Sequence, residues 1–350
     1  MRGVQAFDHG QNPYILSNIA PFQLFNASLY FDYPPHTLYF FWLLDFFSVF
    51  HYGIIYLMLL FALLVISAYL TVNLDKKPHY LFLTTLLLTG FMSTVWNFLS
   101  GNSPILFLLL FAVMFTFIVK EKYWQSSIVM GLSAAFSLFT APFIVLYLVV
   151  KRPIMERLEF ISLSIGIVAS LFVADYLVNP SFLTSYISLM RSSTGPFYYS
   201  GGWNEPTPYL MFKEVLNSIS SRNIIPLVIV SCIYVGLILY ATWKYYLKNN
   251  GDNLKTLSLV MLSIFMILPR IMPYDFIILV VPLYLLFKDC SYRIKSIVFV
   301  IISLPIFVWL YNHLFVTDMG LWWYAQTYSL ILIFVMVLLH DHLTPAAHGE

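Results

Sequence analysis

Residues 255–287 read KTLSLVMLSIFMILPRIMPYDFIILVVPLYLLF. A transmembrane helix needs about 20 apolar residues to cross about 30 Å of hydrocarbon, so this run is too long for one crossing and too short for two. Pro269 and Pro273 interrupt it, beside Arg270, Tyr274 and Asp275. Each half, at about 14 residues, makes a helix about 21 Å long. The expectation is a hairpin of two short helices, with the break buried in protein or lining a cavity, since irregular backbone is tolerated at that depth nowhere else. Residues 123–150 have the same character, with Pro142 in the middle, and predict a second hairpin broken there.

The rest of the chain supports a membrane reading. Of its 350 residues, 60% are hydrophobic and 10% charged, and the mean hydropathy is +0.82; a soluble domain carries about 25% charge. Apolar runs predict spans at 51–73, 79–99, 103–119, 157–178, 224–243, 296–314 and 323–340, with 37–50, which contains Asp45, as an interfacial or partly buried helix. The expected fold is an all-α polytopic membrane protein of about 9–11 spans, hairpins included, in one domain over 1–350.

Basic residues test the hairpins, because cytoplasmic loops concentrate Lys and Arg. Clusters lie at Lys76–Lys77, Lys120–Lys122, Lys151–Arg157, Lys244–Lys255 and Lys288–Lys295. Counting 123–150 and 255–287 as hairpins puts all five on one face; counting either as a single span breaks the pattern. The opposite, extracytoplasmic face then collects 1–36, 100–104, the loop 179–223, the break 269–275 and 312–322. Net charge of +2 says nothing about nucleic acid, but no basic stretch looks like a phosphate-binding patch, and no nucleic-acid partner is expected. Cys232 and Cys290 are far apart and predict neither a disulfide nor a metal site. Residues 1–12 lack the apolar core of a signal peptide.

The polar stretch 8–36 is where a membrane scaffold would carry chemistry. It holds Asp8, His9, Asn12-Pro13-Tyr14 and Asp32-Tyr33-Pro34-Pro35-His36. Proline restricts its own φ and the residue before it, so these pairs predict rigid, non-helical backbone.

The order of motifs resembles the GT-C superfamily of integral-membrane glycosyltransferases, and most of all glycosyltransferase family 87, the polyprenol-phosphate-mannose-dependent mannosyltransferases. The similar elements are Gly10-Gln11-Asn12-Pro13-Tyr14, Tyr33-Pro34-Pro35, Gly101-Asn102, Gly131-Leu132 leading to Ala141-Pro142-Phe143, and Leu268-Pro269-Arg270 followed by Tyr274-Asp275. They cover about 10 to 290. The family usually has Lys-Pro where this chain has Thr140-Ala141-Pro142. The resemblance implies a GT-C-type helix bundle that transfers a hexose, usually mannose, from a polyprenyl- or dolichyl-phosphate sugar to a hydroxyl on a glycan, glycolipid or glycoprotein. It implies no cofactor or metal, because the lipid phosphate is the leaving group, and a multi-pass membrane location, the plasma membrane if the organism is a prokaryote, with extracytoplasmic catalytic loops. The family's catalytic Asp precedes the Gly-x-Asn-Pro-Tyr motif at the end of a first helix. Met1 stands too close to Gly10 for either, so the expectation is that the chain begins late.

Within the chain, Asp32 is the first candidate base, against a turn residue that sets up the prolines, and Asp8 the second. His9 and Tyr33 are candidate substrate contacts. Arg270 suits phosphate, since a cation at a membrane break is expensive and guanidinium binds phosphate in a bidentate manner; the competing reading pairs it with Asp275. Tyr274 and Asp275 are further candidates there. Trp203, Asn204 and Glu205, beside Tyr198 and Tyr199, have the aromatic and amide character of a sugar site, or of an interfacial belt. Trp322-Trp323-Tyr324 reads as belt, and His51, Asp45 and Asp175 as structural, Asp175 lying where it could line the cavity. Two other classes stay open: a secondary transporter, whose sites also use broken helices, and a non-catalytic scaffold with a degraded site.

Overall fold

Apolar runs ended by proline or polar residues set the helices of the chain. In the computed structural model, residues 6–19, 33–46, 54–74, 78–100, 104–193, 207–219, 224–248, 253–269, 271–315 and 324–343 are described. The helices are α1 (Pro35–Phe46), α2 (Ile54–Val72), α3 (Tyr80–Thr89), α4 (Ser93–Ser100), α5 (Pro104–Val119), α6 (Tyr123–Phe136), α7 (Ile154–Val178), α8 (Pro180–Ser193), α9 (Pro208–Ile219), α10 (Ile224–Lys248), α11 (Asn253–Ile267), α12 (Val280–Phe287), α13 (Tyr292–Phe315) and α14 (Ala325–Leu343). Tighter 3-10 turns occupy Gly90–Met92, Leu138–Val149 and Asp275–Leu279. The described residues contain no strand. Among the described residues, four stretches are long and apolar enough to cross a membrane: Tyr80–Phe98, Ile154–Val178, Ile225–Lys248 and Tyr292–Asn312. The protein is a helical integral-membrane protein.

Both hairpins form. In the central one, α11 runs to Ile267, the backbone breaks over 268–274, and the chain returns through Asp275–Leu279 and α12. Phe265 and Phe276 meet across the break with ring centres 5.0 Å apart. The hairpin is the heart of the bundle: Leu257, Met261, Phe265, Ile277, Val281 and Tyr284 are inaccessible to solvent.

The second hairpin differs from expectation in where it breaks. Helix α6 ends before Ser137, whose φ of −148° and ψ of 118° are extended, and Pro142 lies inside the returning 3-10 segment. The two arms of the hairpin are antiparallel, because Ser126 meets Tyr147 (Oγ to hydroxyl oxygen, 2.7 Å) and the Ser133 hydroxyl donates to Thr140 Oγ1 (3.1 Å). Thr140 donates in turn to the Ser137 carbonyl at 3.0 Å, so the turn is closed by hydroxyls, not by proline.

Small residues let α6 sit tightly on α7. Ser127, Gly131 and Ala135 recur every fourth residue, the spacing that lets membrane helices approach closely. A Cβ at Gly131 would lie 2.9 Å from the Ser164 carbonyl oxygen. Ser164 donates its hydroxyl to the Ser127 carbonyl at 2.9 Å.

Two expectations are corrected. The loop 179–223 carries two helices, α8 and α9, with 194–206 outside the described residues. Tyr324, read as part of an interfacial belt, is fully buried; Trp322 and Trp323 lie outside the described residues.

The contacts sort the helix ends. Glu121, Tyr123 and Arg152 meet at one end, where Arg152 donates to Glu121 at 2.8 Å and lies over the Tyr123 ring. The turns at Lys288 and Lys295 share this basic end, where the His79 N–H donates to the Tyr284 hydroxyl. The breaks at Ser137 and Pro269–Tyr274 lie at the other end, joined by Phe139 against Phe265.

Candidate functional site

The polar groups of the proline-break end fall into two clusters. The first is built on the start of α1. Pro34-Pro35 fixes the entry to this helix, and His36 stands one residue beyond. Its Nδ1 lies 2.8 Å from Asp175 Oδ2, and its Nε2 lies 2.8 Å from the Ala135 carbonyl oxygen. Ala135 is in the last turn of α6, where helix carbonyls have no partner within the helix. Asp175 is near the end of α7 and 5% exposed. The rings of Phe136 and Phe172 pack edge-on against the imidazole. One side chain thus ties α1, α6 and α7 together.

The N-terminal segment is docked beside it. Asn12 Oδ1 accepts the Tyr14 N–H at 3.0 Å, the local turn expected of Asn before a proline. Asn12 Nδ2 donates to Ser185 Oγ on α8 at 3.0 Å. The Tyr14 hydroxyl donates to the Tyr33 carbonyl at 2.8 Å. Burial holds the Tyr14 phenol far above its ordinary acidity range, and Tyr186 and Asp175 push it further the same way, so it serves as a neutral donor. Tyr14, Leu38, Phe41, Leu183 and Tyr186 form the apolar base of this corner. A shallow recess opens among Tyr14, Ile15, Ser185, Ser188 and Leu189.

The second cluster surrounds the central break. Phe91 and Met92, with φ of 53° and 59°, kink the chain between α3 and α4, a conformation disfavoured for side-chain-bearing residues. Gln326 Nε2 donates to the freed Phe91 carbonyl at 2.7 Å and stands 3.5 Å from that of Pro273. Asn97 Nδ2 donates to the carbonyls of Ser93 and Tyr274, both at 2.9 Å.

Of the residues anticipated from sequence, Asp8 accepts the Trp42 indole N–H at 3.2 Å in an exposed position. His9 is exposed in the turn closed by the Gly10 N–H on the Phe7 carbonyl. Tyr33 is half-buried and packs on Phe41. Tyr274 contributes its carbonyl to the second cluster. Asp275 is buried and closes its own turn: its carboxylate accepts the Met272 N–H at 2.8 Å and its N–H donates to the Met272 carbonyl at 3.0 Å. Asp32, Trp203, Asn204, Glu205 and Arg270 lie outside the described residues, as do Tyr198, Tyr199 and His51.

The sequence reading missed His36 as a partner and left Asp175 alone. They are 139 residues apart in sequence, and the available signal was that two ionisable residues each sit at the outer end of a helix. Thr140, two residues before Pro142, is buried with its hydroxyl engaged.

No curated protein and no solved structure matches the chain. The sequence model of glycosyltransferase family 87 matches residues 30–269. This span takes in the Tyr33-Pro34-Pro35 entry, both partners of the His36–Asp175 pair, and Pro269, but not Gly10–Tyr14 or Tyr274-Asp275. With more than half its length matched, the chain belongs to glycosyltransferase family 87.

Proposed function

We propose that the protein moves a hexose, mannose in the first instance, from a polyprenyl- or dolichyl-phosphate sugar to an acceptor hydroxyl on the extracytoplasmic side. The observation that carries this reading is the family 87 match over residues 30–269 of a helical membrane protein. The side is supported by the separation of ends: the basic turns gather at one end, as cytoplasmic loops do, and the polar clusters at the other. In the reaction the acceptor oxygen attacks the anomeric carbon, the bond from that carbon to the phosphate oxygen breaks, and the hydroxyl proton passes to a base. The products are the glycosylated acceptor and the free lipid phosphate.

Asp32 is our in-chain candidate for the base, with Asp8 the weaker alternative because it is engaged with Trp42. Arg270 is the candidate for the leaving phosphate, where a positioned cation stabilises developing charge. Tyr33 and His9 are candidate substrate contacts, and Trp203, Asn204 and Glu205 are candidates to cover the sugar. Tyr274 and Asp275, which support the break, are further candidates for the sugar or phosphate surroundings.

The test is transfer of radiolabelled mannose from polyprenyl-phosphate mannose in membranes carrying the protein. The expected result is labelled product without any ion gradient. Asp32→Ala should lower turnover by about 10²–10⁴, the usual contribution of a general base, and Arg270→Ala should abolish detectable transfer. Wild-type membranes inert towards every lipid-phosphate hexose tried, but accumulating a solute on a gradient, would establish a transporter instead.

A further inference from the structure

We propose that His36 works as an imidazolium and that, with Asp175, it is the positioning residue of the transfer site. The proposal rests on the transferase reading above. Both ring nitrogens face oxygen at 2.8 Å. A backbone carbonyl can only accept, so Nε2 must carry a hydrogen to meet Ala135; without one, two lone pairs would face each other. The Nδ1–Oδ2 contact then holds a second proton. With that proton on the ring, Asp175 is the anion and the 2.8 Å contact is a charge-assisted hydrogen bond. The pair is enclosed, with side chains 12% and 3% exposed. Asp175 from α7 is the charged group paired with the ring, and among the described residues the Tyr14 phenol of the N-terminal segment lies near both Asp175 and Tyr186 of α8; α6 presents the Ala135 carbonyl and the Phe136 ring.

The position of the pair gives it a task. Pro34 and Pro35 leave the chain little torsional freedom. The Tyr33 carbonyl is held on one side of them by Tyr14, and His36 on the other side by Asp175 and Ala135. Anchoring both flanks of a stiff dipeptide fixes the direction in which the chain enters α1. His36 acts through that backbone and not by touching substrate. It is an ion pair in a place where charge is costly and by default functional.

The test uses the full chain in lipid nanodiscs, labelled with ¹⁵N at histidine, with the His36 signal identified by its loss in His36→Gln. At neutral pH both His36 ring nitrogens are expected to be protonated, and Asp175→Asn is expected to leave one bare. In the transfer assay, His36→Gln and Asp175→Asn should each lower kcat on the order of 10²-fold, as misplacement by about 1 Å does, with a far smaller change in donor KM. A bare ring nitrogen in the wild type overturns the proposal, whether or not the variants fold. So does a kcat in both variants within about twofold of wild type, since no transition-state positioning would then have been lost. Failure of the wild type to transfer any hexose, with the ring found doubly protonated, sinks the transferase reading and the positioning role with it, while the charge state stands.

Discussion

At the proline-break end of the bundle, the freed carbonyl of Ala135 meets a charged ring, whereas those of Phe91 and Tyr274 are bonded by the neutral amides of Gln326 and Asn97. Both clusters answer the same need. A helix that stops or kinks inside a membrane leaves carbonyls that water cannot reach. An amide meets that need with two N–H groups and no counterion. It has its own penalty, seen in the unpartnered acceptor oxygens of Asn97 and Gln326. The imidazole meets the need only by bringing a buried carboxylate with it, and desolvating an ion pair can exceed its Coulomb gain. Satisfying one carbonyl therefore does not explain His36 and Asp175. The charged solution belongs to the corner that includes the Tyr33-Pro34-Pro35 entry; the neutral one belongs to the core beneath it.

The difference can be broken by putting charge where the fold uses none. Asn97→Asp replaces an amide that donates to two carbonyls with an acceptor aimed at both, in a site that is fully buried. The expected loss is about 3–5 kcal/mol of unfolding free energy, as for an uncompensated buried charge, read by denaturant titration in mixed micelles. A loss under about 1 kcal/mol would mean that water reaches the break and that the two clusters are not different environments. Gln326→Leu is milder. It keeps the volume but strips the donor from the Phe91 carbonyl, and should cost about 1–3 kcal/mol by the same titration. An unchanged midpoint would show that the 90–92 kink is held by packing alone.

The same contrast explains what was legible in the sequence. The core hairpin was readable because Pro269 and Pro273 mark its break with the two residues least compatible with helix interior. The 123–150 hairpin was readable in length and topology but not in its turn, because Ser137 carries no local signal for extended backbone. Pro142 looked like the break, yet it sits in the 3-10 segment after hydroxyls have closed the turn. The helices inside 179–223 were obscured by a polar composition that served equally for a loop; α8 begins at Pro180 after the Asn179 side chain accepts the Phe182 N–H, a local helix-start pattern. At the site, the non-helical backbone of Asn12-Pro13 and Pro34 was foreseen from proline alone, whereas Pro35, expected to be non-helical too, is the first residue of α1. The His36–Asp175 contact was not, because nothing in sequence joins residues so far apart until α6 and α7 close over Gly131.

The smallest expected effect is the sharpest test of the comparison. The double variant His36→Gln/Asp175→Asn removes both charges and leaves two neutral side chains that can donate and accept hydrogen bonds. Replacing a whole buried ion pair is often close to neutral for stability, so the unfolding free energy should change by no more than about 1 kcal/mol, less than in His36→Gln, where the buried Asp175 carboxylate is left without its partner. This non-additivity, measured as a double-mutant cycle in mixed micelles, separates the clusters cleanly. If the double variant is instead as unstable as the worse single variant, the ion pair is holding α1 to α6 and α7 as an ordinary structural clamp, and its resemblance to the amide cluster is closer than its charge suggests. If stability is kept, the charge has no structural reason to persist in the bundle, and its reason lies in what happens at the entry to α1.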